Sequence, residues 1–216
     1  MENLLLLKKL NGRAVLKDIL EKSVFGSIEQ TVASLTLFSH PKTVKQLNYL
    51  NVFRIIRTRL MSSRGEYDMA KRVMLDDNTG PTEAFIWANG IKRNYEDITF
   101  NHVWSNSNDI ESNTNLANIC VTPAFLSKLT DTDSKIQNLL RYRSFDLYDG
   151  WHPKGTTKPT KPDLYDNMKW VPPLPEVVNV EKIYRDAMKT KRQNRTKMSA
   201  HTLGWHFSND LPDDKI

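Results

Sequence analysis

One stretch of the chain gathers residue types able to do hydrolytic chemistry. His102 closes an apolar run, Ile98-Thr-Phe-Asn-His-Val-Trp104, and the polar loop Ser105-Asn-Ser-Asn-Asp109 follows. Asn115-Leu-Ala-Asn-Ile-Cys-Val-Thr-Pro123 then leads into Ala124-Phe-Leu-Ser-Lys-Leu-Thr-Asp131. The pattern predicts a strand ending in His102, a second short strand opened by Asn115, and a helix after Pro123. Splitting a phosphodiester needs a base to deprotonate water, a cation to stabilise charge on the phosphate, and a route for the leaving oxygen. A neutral histidine with its second ring nitrogen held by a backbone or amide group can be that base. A histidine beside Trp104 in an apolar strand is equally the pattern of a packed, hydrogen-bonded core residue.

These residues resemble the HNH, or ββα-metal, endonuclease family. There a His preceded by Asp, Glu or Asn ends the first strand, an Asn-Leu pair starts the second, and a helix completes the metal site. Asn101-His102 matches the first element, Asn115-Leu116 the second, and Pro123-Ala124-Phe125 the start of the helix. The resemblance covers residues 98–131 or so. It implies a metal-dependent DNA endonuclease, of the kind found in restriction systems and phages, with Mg²⁺ or Mn²⁺ as its ion. His102 would be the general base and Asn115 would tie down the loop that carries it. Asn101 would be a metal ligand or a neighbour of the metal. Where the family places its third metal-side His or Asn, this chain has Ala124, Phe125 and Leu126, none of which can bind a cation. The site must then draw on Asp109 or Asn118 in the hairpin, or on Asp131 and Asp133 past the helix. The alternative is a nucleic-acid-binding or assembly protein that keeps the hairpin without catalysis. A third option is a helical interaction protein with no nucleic-acid role.

The surrounding chain must position these groups. Its 216 residues, 39% apolar and 26% charged, suffice for a globular core, and the net charge of +6 with a pI near 9.3 favours a polyanionic partner such as nucleic acid; the resemblance puts DNA ahead of RNA. A homodimer is left open. The single cysteine, Cys120, cannot form an internal disulfide or a four-Cys zinc site. The start, Met1-Glu-Asn-Leu-Leu-Leu-Leu, lacks the form of a signal peptide, and no run reaches the length of a membrane span, so a cytoplasmic protein is expected. No glycine-rich phosphate loop and no GxSxG elbow occur.

The expected fold is α+β, mostly helical around a ββα-metal-like hairpin-plus-helix unit. Residues 1–62 read as a helical region. Ser27 and Gln30 form a capping box for a helix carrying Ile28, Val32, Leu35 and Phe38, which His40-Pro41 ends. A further helix is predicted over 43–61, with Lys45, Arg54, Arg57 and Arg59 on its polar side; Arg54 and Arg57 are candidate nucleic-acid contacts. Residues 63–150 hold the hairpin core. Within it Val73–Leu75 and Ala84–Trp87 read as strands, Asn89-Gly90 as a hairpin turn, and Asp76-Asp77 as a turn. Asp133 should cap a helix to about Tyr148, with Gly150 beyond it. Residues 151–177, rich in Pro and Lys, read as an extended linker or arm, and 178–216 as a basic helix and tail. Lys189, Lys191, Arg192, Arg195 and Lys197 put five cations in nine residues with no acid among them. That is either a phosphate-binding run or a solvated helix end. Lys128, on the helix after Pro123, is a further candidate phosphate contact.

Overall fold

A computed structural model describes residues 10–208. The fold is α+β, with eight α-helices and two small sheets among the described residues. The first sheet contains β1 (Ile55–Arg57), β2 (Tyr67–Asp68) and β3 (Val73–Asp76), with β3 central, parallel to β1 and antiparallel to β2. The second is the hairpin of β4 (Ile98–His102) and β5 (Ile119–Pro123), in antiparallel register with Asn101 opposite Cys120 and His102 opposite Ile119. One hydrophobic core runs through the molecule from Leu20 to Leu203.

The helices in chain order are α1 (Gly12–Glu21), α2 (Ile28–Leu35), α3 (Pro41–Lys45), α4 (Thr79–Ala88), α5 (Ala124–Thr132), α6 (Ser134–Leu147), α7 (Val180–Lys189) and α8 (Arg195–Leu203). The strand–loop–strand–helix order expected around His102 is present, with α5 packed on both strands. Two details differ. The second strand begins at Ile119, and Asn115 instead caps a 3₁₀ turn (Leu116–Asn118) by accepting from the Ala117 N–H at 2.9 Å. Asp133 does cap α6, accepting from the N–H groups of Lys135 and Ile136. Gly150 lies beyond that helix at φ +81°, donating its N–H to the Phe145 carbonyl.

Several expectations are overturned. Residues 43–61 are not one helix. After α3, Asn48 and Tyr49 turn left-handed (φ +50° and +56°), and Ile55-Ile56-Arg57 pairs with β3. Val52, Phe53, Ile55 and Ile56 are all buried. An apolar run this dense satisfies strand and helix spacing alike; asparagine's tolerance of the left-handed region and the β-branched Ile pair tip it to strand. The helix capped by Ser27 ends at Leu35, five residues before His40. There Leu37 leaves it and exchanges two backbone hydrogen bonds with Val121 of β5. Ser27 accepts from the Gln30 N–H, but the Gln30 amide donates to Ser34 and the Lys169 carbonyl, so the box is only half made. His40-Pro41 starts α3 rather than ending α2.

Ala84–Trp87 lies inside α4, not in a strand. That helix is buried on nearly every side, so it has no polar stripe to betray its period. Pro81 is tolerated because it sits in the first turn, where N–H groups lack helical partners anyway. Asn89-Gly90 ends this helix instead of turning a hairpin, with Gly90 left-handed at φ +62°.

Residues 151–177 are extended, but they lie along the body as a strap. Val171 donates its N–H to the Ala33 carbonyl and Leu174 to that of Phe38, while Tyr165 is buried. The basic run at 189–197 spans the end of α7, a turn over 190–194 and the start of α8, which Asn194 caps.

Candidate functional site

His102 ends β4, and its Nε2 lies 2.8 Å from the Asn113 carbonyl oxygen. A carbonyl has no proton to give, so Nε2 carries the hydrogen and Nδ1 is the basic nitrogen of the neutral ring. Nδ1 has no hydrogen-bond partner among the described residues. Burial lowers the His102 pKa below the ordinary range, helped by the positive charge of Arg57; the Asn113 carbonyl and the Asp131 charge act the other way. Burial therefore favours the neutral ring, and the Asn113 carbonyl orients it.

The loop that holds it is tied at several points. The Asn113 side chain donates to the Ile55 carbonyl at 2.9 Å, and the Arg57 N–H donates to the Ser107 carbonyl at 2.8 Å, so the loop is stitched to β1. Asn115 donates to the Tyr49 carbonyl at 2.6 Å, anchoring the far end of the loop. Asn118 accepts from the Trp104 N–H at 2.8 Å and donates to the Ser112 carbonyl at 3.0 Å. Asp109 accepts from the Ser112 hydroxyl.

The three residues expected to hold a cation are thus engaged within the fold. Asn101 clamps the hairpin, donating to Thr122 Oγ1 at 2.9 Å and accepting from the Ser127 hydroxyl at 3.1 Å. Asn118 is fully buried, whereas Asp109 is exposed on the loop, where it accepts from the Ser112 hydroxyl and the Glu111 N–H. Asp133 is committed to capping α6 and to an ion pair with Arg13. Among the described residues no three His, Cys, Asp or Glu side chains cluster as a metal site. Asp131 in the last turn of α5 is exposed as well, and close enough for its charge to act on His102. The Cys120 thiol, buried in β5, is pushed up to about 12 and is no nucleophile.

The expected nucleic-acid contacts divide sharply. Arg54 is half-buried, its Nε donating to the Arg72 carbonyl at 2.9 Å. Arg195 pairs with the buried carboxylate of Asp76 at 2.6 Å. Lys197 is 2% exposed and donates to the Thr190 carbonyl at 2.9 Å. Lys197 is thus withdrawn from any phosphate, whereas Arg195 stays exposed beside its carboxylate. Lys128, Lys191 and Arg192 are exposed, and Lys189 lies 3.8 Å from Asp186 on its own helix. Arg57 is exposed and lines an open cleft of about 580 Å³ together with Arg59, Arg64 and Arg93. The sequence gives no sign of Arg64 and Arg93 as a pair, because they stand 29 positions apart and converge only through α4 and β1. Asn113, which holds His102, was equally hidden: its contribution is a backbone carbonyl, which any residue type can supply.

No family model matches the chain, and no curated protein or solved structure does either.

Proposed function

We propose that the protein hydrolyses phosphodiester bonds in nucleic acid, DNA ahead of RNA, by HNH-type chemistry. The observation that carries the reading is the neutral His102 at the end of β4, fixed through Nε2 by the Asn113 carbonyl inside a ββα unit. In this scheme Nδ1 takes a proton from water as the water oxygen attacks phosphorus, the bond to the leaving sugar oxygen breaks, and solvent protonates that oxygen. A divalent ion, Mg²⁺ or Mn²⁺, would stabilise the charge on the phosphate. Of the expected set, Asn101 and Asn118 are buried in hydrogen bonds of the fold and do not fit such an ion, while Asp109 is exposed. Asp131 could hold the ion, since Mg²⁺ is often bound by one or two carboxylates plus water and substrate phosphates. The lone buried thiol fits a reducing compartment such as the cytoplasm, and no helix among the described residues is long and apolar enough to cross a membrane.

A plasmid-cleavage assay across divalent ions tests this, with His102→Ala alongside. Removing the base should lower the cleavage rate by about 10²–10⁴-fold while leaving DNA binding intact. Equal cleavage by the variant would overturn the assignment. A second reading, a nucleic-acid-binding protein without catalysis, is favoured by the engagement of Asn101, Asp109 and Asn118 and by Ala124, Phe125 and Leu126 at the helix start. Binding without cleavage under any ion would establish it.

A further inference from the structure

The cleft beside β1 belongs to neither the hairpin nor the basic run at 189–197. It forms where the end of β1 passes the N-terminus of α4. Gly80 makes that approach possible: a Cβ there would sit 3.1 Å from Ile55 Cδ1 and 3.2 Å from Cγ2. Arg57 and Arg59 enter from the end of β1 and the residues just beyond it, Arg64 from the turn after the 3₁₀ helix (Met61–Ser63), and Arg93 from beyond α4. Arg64 is steadied by Asp77 at 3.2 Å, and Arg93 by the buried Glu83 at 2.9 Å. Arg57 and Arg59 are exposed and make no ion pair among the described residues. Four guanidinium groups thus face one lining carboxylate, Asp77, which already accepts from the Thr79 N–H and hydroxyl. A cleft with this surplus of planar, multiply donating cations suits an oxyanion with several acceptor oxygens.

The cleft is also joined to His102. Asn113 donates to the Ile55 carbonyl with its side chain and accepts from His102 with its backbone, and the Arg57 N–H holds the same loop through Ser107. We propose that the arginine cleft seats a backbone phosphate of the nucleic-acid strand on which His102 acts, fixing the strand's register across the hairpin. This rests on nucleic acid being the ligand, but not on cleavage. The cleft would supply sequence-independent grip and position, the usual part of phosphate contacts.

Binding of a short fluorescein-labelled duplex, followed by anisotropy with divalent ions chelated, tests the cleft separately from catalysis. The double variant Arg57→Ala/Arg59→Ala should lose about tenfold or more in affinity, and the slope of log K against log salt should flatten by roughly 0.9, the value for one phosphate contact. Arg57→Lys/Arg59→Lys should keep most of the slope, because charge rather than fold is being read. With divalent ions chelated, binding is read without cleavage, so a chain with no nuclease activity but an intact cleft is recognisable. The proposal is overturned if the double Ala variant keeps affinity and slope, or if Lys191→Ala/Arg192→Ala takes the loss instead. It is also overturned if the wild type binds inorganic pyrophosphate but no duplex, since the cleft would then serve a free anion.

Discussion

The hairpin and the arginine cleft lie on either side of the same loop, yet they use polar groups in opposite ways. In the hairpin Asn101, Asn113, Asn115 and Asn118 are buried, and each spends its amide on a strand, a turn or the backbone of β1. In the cleft two arginines remain without an ionic partner and two are held by single carboxylates. In the first region most of the polar groups are spent on the fold, with Asn113 Oδ1 and Trp104 Nε1 buried without a partner; in the second the cations still face solvent. Buried amides of this kind are costly to disturb, whereas exposed cations are cheap to keep and free to meet a ligand.

The comparison can be broken at its buried end first. Asn118→Ala would strand the Trp104 N–H away from water and leave the Ser112 carbonyl only its bond from the Asn115 N–H, and should cost roughly 1–3 kcal/mol of stability for the orphaned group. Urea denaturation would measure it, and a loss below about 1 kcal/mol would mean the loop is not pinned as described. A smaller effect should appear in pH dependence. The His102 pKa is lowered on folding, so the base form persists below the ordinary 6.5 and the acid limb of kcat/KM should fall there. The same shift sets a stability trend: the unfolded chain takes up this proton first, so stability attributable to His102 is full above 6.5 and declines as pH falls toward the folded value. NMR titration of the ring would check both; a value at or above 6.5 would remove the argument for a neutral base. The smallest effect belongs to Lys191→Ala/Arg192→Ala. These exposed cations should change stability by less than about 0.5 kcal/mol and duplex affinity far less than the cleft pair does.

Much of the hairpin was legible because its elements are local. The run to His102, the helix after Pro123 and the Asp133 cap each depend on residues close in sequence, and each formed. The N-terminal half misled where burial is complete: α4 has no polar face, and the segment from Val44 to Ile56 is apolar at enough positions to suit either period. The site was less legible than the fold. A polar residue near a histidine reads as a ligand in sequence, but Asn101 and Asn118 prove to be structural once their partners, Thr122, Ser127, Trp104 and Ser112, are in place. Charge density along the chain misled too. The five cations of 189–197 look like one surface, yet Lys197 is buried against Thr190, and Arg195 is drawn to Asp76, 119 residues away.

The strap bears on how the molecule is made. Gln30 reaches the Lys169 carbonyl across 139 residues, and the neighbouring Ala33 and Phe38 carbonyls await Val171 and Leu174. During synthesis at about 5–20 residues per second, α2 is finished on the order of ten seconds before the segment that covers it exists. For that interval the nascent chain shows uncovered acceptors beside an apolar face. A ribosome that stalls before the strap would leave a fragment prone to capture by chaperones or by another copy of itself.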